Sequence, residues 1–156
     1  MRQRGATFLE IMICIGVLGI LASGVMVTLG PSLAKQELVS SSLQLVGDIR
    51  WLQQITMNEA GGGISYALLF YHTEPYGYYV TANGQTLKNV NFPPSVGLSG
   101  SYSPIVFAVS GAPVIGAQSI GLQSIKLKTW KYVILAPVTG RVRISDSKPS
   151  PAEWSL

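Results

Sequence analysis

The chain has 156 residues, 47% of them apolar, and a formal charge of +4 from eleven Lys and Arg against seven Asp and Glu. That length suits one small domain plus an anchor. The single cysteine, Cys14, sits inside an apolar run, which excludes an internal disulfide and leaves a hydrophobic core to hold the domain together.

The first element is the apolar run that begins RGATFLEIMICIGVLGILASG at residue 4. Residues 11–29 carry no charge over 19 positions, about the length that crosses a bilayer core. The run is longer than the apolar part of a signal peptide, and no A-x-A-like cleavage site follows it. Arg2 and Arg4 precede it, so the positive-inside rule predicts a cytoplasmic N-terminus and an extracytoplasmic domain beyond Pro31. Glu10 interrupts the pattern. A carboxylate deep in hydrocarbon costs on the order of 2–3 kcal/mol. Two readings are open: Glu10 marks the edge of the span and reaches toward headgroups, or it awaits a cationic partner in an assembly. Gly16, Gly19, Gly24 and Gly30, followed by Pro31, weaken the helix locally. They suit close packing of membrane helices or a helix that bends or partly melts in a filament.

Beyond Pro31 a helical pattern resumes. Leu38, Leu45 and Leu52 recur every seven residues, with Ser42, Val46 and Ile49 beside them. Lys35, Gln44, Asp48, Gln53 and Gln54 fall on the other face, so the stripe predicts a helix packed on a sheet. Gly61, Gly62 and Gly63 end it. Strands are predicted at 64–72, after the turn at 74–77, and at 104–109, 119–128, 131–136 and 140–144, with Asn83-Gly84 as the hairpin signal. Residues 91–104 read as a loop and the tail from Ser145 as a poorly ordered end. The expected fold class is α+β: a long N-terminal helix, half anchor and half amphipathic, packed on an antiparallel sheet. Its expected divisions are an anchoring helix to residue 30, a domain from 31 to 156 with helix 31–60 and strands over 64–144, and the tail 145–156.

No catalytic constellation emerges. His72 reads as a surface or packing histidine. Asp48, Glu59, Glu74, Asp146 and Glu153 are scattered without paired-carboxylate or metal-ligand spacing, and G-x-S-x-G is absent. The expectation is a protein that is not an enzyme and needs no metal or cofactor.

The remaining chemistry is basic. Between residues 126 and 148 six cations face one acid, Asp146. Strand alternation would place Lys126, Lys128, Trp130 and Tyr132 on one face, and Arg141 and Arg143 together with Val142 and Ile144 inward. Cations interleaved with aromatic rings suit a phosphate backbone and stacked bases; a solvated, aggregation-resistant edge is the other reading.

Two resemblances bear on these residues. Arg4-Gly5-Ala6-Thr7-Phe8-Leu9-Glu10 and the long apolar helix resemble the type III signal of type IV prepilins and pseudopilins. The resemblance implies cleavage by a prepilin peptidase between Gly5 and Ala6, loss of leader 1–5, and N-methylation of Ala6. It also implies that Glu10, then fifth in the mature chain, pairs with the N-terminal amine of a neighbouring subunit. Many members carry Phe where this chain has Ala6. The long helix, the β-rich domain and the late P-x-T-G-R-V-R at 137–143 are similar to the GspH/FimT pseudopilin family. In its FimT-like branch a G-R-x-R motif is associated with DNA binding during natural transformation, and Gly140, Arg141 and Arg143 match it. The implied partners are other pilins, the peptidase, an inner-membrane assembly platform and DNA, and the implied location is a single-pass inner-membrane protein that enters a pilus or pseudopilus. H-type pseudopilins of type II secretion share the fold and build a filament tip instead.

Overall fold

A computed structural model describes the chain at residues 7–59 and 63–150, leaving aside the side chains of 22–29. The leader, Gly5 and Ala6 lie outside the described residues, as do residues 151–156 of the expected tail and Gly61 and Gly62 of the expected helix stop. The chain divides into two compact units, Met1–Leu33 and Ala34–Leu156.

One helix, α1 (Phe8–Asn58), contributes to both units. Pro31 lies inside it; a proline removes one i→i−4 bond, and the helix continues on either side. In the first unit its apolar side chains are turned outward: Phe8, Met12, Ile15, Leu18 and Leu21 are all largely exposed.

In the second unit the predicted stripe is the buried one. Leu38, Ser42, Leu45, Val46, Ile49 and Leu52 are buried. Ser42 is tolerated there because its hydroxyl donates to the Leu38 carbonyl one turn back, at 2.7 Å. Asp48 departs from the expected polar face. It is buried because the sheet presents it with two donors, described below.

Two antiparallel sheets cover this stripe. The first has the order β1 (Tyr66–Tyr71), β2 (Gly77–Ala82), β3 (Gln85–Asn91). The second has the order β4 (Val96–Leu98), β5 (Gln118–Ser124), β6 (Trp130–Leu135), β7 (Val142–Ser145). Alternate residues of each sheet enter one core with α1: Leu68, Tyr78 and Val80 from the first, Leu122, Val133 and Val142 from the second. The β2–β3 hairpin turns at Asn83 and Gly84 as expected. Both have positive φ, 49° and 82°, the combination that a two-residue hairpin turn needs.

Four sequence expectations are corrected. Residues 104–109 form only isolated bridges, at Ile105 to Leu68 and Phe107 to Pro113. Ile105 and Phe107 are buried, and that alternation mimics a strand, but the chain turns away at Gly111, where φ is 81°. Inside the expected loop 91–104 lies β4, formed because Val96 enters the core and pairs with Ser124. The expected strand 119–128 stops at Ser124. There the chain reverses, with the Lys128 N–H on the Ser124 carbonyl at 2.8 Å, the Leu127 N–H on Ser124 Oγ at 3.3 Å, and Lys128 itself at φ 53°. The tail begins in β7 rather than in disorder, since Ser145 ends that strand and Pro149 is buried.

Candidate functional site

Two regions carry the chemistry expected of this chain. At the start of α1, Glu10 is exposed in the first helical turn, with its N–H on the Thr7 carbonyl at 3.0 Å. A carboxylate there complements the positive end of the helix dipole. Among the described residues no cation pairs with it.

The second region is the entry into β7, with Arg141 just before the strand and Arg143 within it. Val142 is buried, Ile144 half-buried, and both arginines are exposed, so the expected alternation holds. Arg143 lies opposite Ile134 on β6, and the Arg141 carbonyl accepts the Ala136 N–H at 3.0 Å. Gly140 precedes them at φ 64°. A Cβ on Gly140 would stand 2.3 Å from the Gly111 carbonyl oxygen and 2.5 Å from Gln53 Nε2. The glycine is therefore a steric requirement of the turn into β7.

Helix α1 fixes this turn from the side. Gln53 Nε2 donates to the Gly111 carbonyl at 2.7 Å and reaches the Thr139 carbonyl at 3.4 Å. One turn earlier, Arg50 Nη2 donates to the Val142 carbonyl at 3.1 Å. Sequence reasoning overlooked Arg50 and placed Gln53 on a solvated face. The available signal was their position at i and i+3, flanking the buried Ile49 and Leu52.

The wider cationic track is not assembled as expected. Trp130 and Tyr132 do share a face of β6, with ring centroids 6.2 Å apart and planes 15° from parallel. Lys126 and Lys128 are exposed in the β5–β6 turn, where strand alternation does not extend to them. Lys131 is paired with Asp146.

A separate polar cluster joins α1 to the first sheet, with Asp48 and Tyr78 buried and Lys88 partly exposed. Asp48 accepts the Tyr78 hydroxyl at 2.6 Å and the Lys88 ammonium at 2.6 Å. Burial, reinforced by the Asp48 hydrogen bond and charge, pushes the Tyr78 phenol well above its ordinary value. His72 is exposed. Among the described residues no three His, Cys, Asp or Glu side chains are grouped to hold a metal ion.

Residues 1–26 match the family model of the prokaryotic N-terminal methylation motif. No curated protein and no solved structure matches the chain. A prepilin-type signal motif, with a helix followed by an antiparallel sheet domain, is consistent with a type IV pilin-like protein. The motif supports a pilin- or pseudopilin-like, membrane-anchored role, and it implies processing by a prepilin peptidase and assembly with other pilins. Among the described residues no helix is long and apolar enough to cross a membrane; the expected span at 11–29 includes residues 22–29, whose side chains are outside that description.

Proposed function

We propose that this chain is a minor pilin or pseudopilin of the GspH/FimT type, a structural subunit rather than an enzyme. It is cut between Gly5 and Ala6, methylated at Ala6, held in the inner membrane by α1 with its domain outside, and built into a filament through Glu10 and the apolar helix. The carrying observation is the methylation motif over residues 1–26, on a chain whose helix leads into an antiparallel domain. On this reading Arg141 and Arg143, exposed at the entry into β7, contact the phosphates of DNA during uptake, with Lys126, Lys128 and Trp130 as outlying contributors.

The competing reading is a minor pseudopilin of type II secretion that acts by tip assembly without DNA. Two observations favour it: Lys131 is paired with Asp146, and Lys126 and Lys128 sit in a turn instead of on the Trp130 face. Both readings share the processing step, so it is the test of the class. Mass spectrometry of the native protein is expected to find a chain starting at a methylated Ala6. A mature chain that keeps residues 1–5 overturns both.

A further inference from the structure

The G-R-x-R segment does not stand alone. The carbonyl of Val142, the residue between the two arginines, is the acceptor of Arg50, which arrives from α1. Arg50 is exposed, and its guanidinium carries five N–H donors, of which one bond is made to Val142. Among the described residues neither Arg50 nor Arg141 takes part in an ion pair. The backbone beneath is fixed by Gln53 on the Gly111 and Thr139 carbonyls and by the close approach at Gly140. Arg50 thus bonds the backbone between the two exposed arginines, at a turn that α1 has already positioned.

We propose that Arg50 is the third phosphate-binding residue of this site, and that the site takes the phosphodiester backbone of DNA as a three-arginine unit assembled from α1 and β7. The inference rests on the DNA reading given above. A guanidinium suits the task because it can hold one acceptor and keep donors and charge for a phosphate. Here the Val142 carbonyl holds it in place, which limits the side-chain freedom lost on binding. Gln53 acts as a positioning residue. Its two carbonyl contacts fix the turn from which Arg141 projects.

The test uses the full chain in detergent micelles, titrated with a duplex oligonucleotide over a range of salt. Each phosphate neutralised contributes roughly 0.9 to the slope of log affinity against log salt. Arg50→Gln, which keeps a polar side chain but loses the charge, is expected to lower that slope by about one phosphate and to weaken binding several-fold at low salt. Arg50→Lys is expected to keep most of the slope. Melting temperatures of both variants separate a charge effect from loss of structure. If the unaltered chain shows no salt-dependent binding, or charge reversal at Arg141 and Arg143 leaves binding intact, the DNA reading itself falls. If the unaltered chain binds and Arg50→Gln keeps its full slope, or both Arg50 variants lower melting temperature without changing the slope, Arg50 is a structural clamp only and this inference falls alone.

Discussion

Asp48 is the residue whose environment says most about how the domain is held. It is a carboxylate in a buried helix face that is otherwise uncharged, and it is stable there because Tyr78 and Lys88 each donate to it at 2.6 Å. Removing either donor leaves the buried Asp48 carboxylate with less compensation, at about 1.5–3 kcal/mol for a lost hydrogen bond to a charged group. Tyr78 adds a pH dependence. Its phenol titrates at about 10 in the unfolded chain and higher in the fold. A group whose folded pKa is raised leaves stability intact below the unfolded value and erodes it above, so the domain is expected to lose up to about 1.4 kcal/mol per pH unit beyond pH 10. Tyr78→Phe should be less stable at neutral pH yet show a shallower decline in urea-unfolding free energy between pH 10 and 11. An equal decline in both proteins would show that other groups govern alkaline unfolding. The sequence placed Asp48 on the polar face because periodicity counts residue types, and a charge met by two donors from the sheet breaks that count. Nothing local announced Lys88, forty residues away, as its partner.

At the scale of elements, the helix stripe and the β2–β3 hairpin were legible because each is a local code. Leu38, Leu45 and Leu52 repeat with the helix, and Asn83-Gly84 supplies the two positive φ angles that the turn demands. The basic candidates divide on the same principle. Arg141 and Arg143 kept their alternation because Val142 between them is anchored in the core. Lys126 and Lys128 lost theirs because Ser124 closes a turn that composition did not mark. Gly140 belongs to this scale, since it controls how the chain enters β7. Gly140→Ala combines a positive φ with an overlap on the Gly111 carbonyl, whereas Gly84→Ala meets the same backbone penalty with no atom within 4 Å. The expected outcome is a loss of about 1–3 kcal/mol for Gly84→Ala and more for Gly140→Ala. Equal losses in thermal denaturation would mean that the close approach at Gly140 relaxes at no cost.

For the whole molecule the question is how copies meet. Cleavage after Gly5 would remove Arg2 and Arg4 and lower the side-chain charge from +4 to +2, leaving Glu10 to find its cation in another subunit. Breaking a buried pair on one side costs roughly 3–5 kcal/mol. Glu10→Ala is therefore expected to be cut and inserted normally and yet be missing from purified filaments by immunoblot; wild-type amounts there would refute the pairing. In the sequence Glu10 stands out as an anomaly in an apolar run, whereas Gly5 and Ala6 are marked only by the motif around them. The hydrogen bond from Arg50 to Val142 bears on the same question. β7 is the last strand of its sheet, and a terminal strand invites a stray chain to hydrogen-bond alongside it. With the Val142 carbonyl already engaged by its own helix, that border is a poor template for such recruitment. The contact thereby disfavours annealing of neighbouring domains into amyloid-like ribbons where copies are crowded.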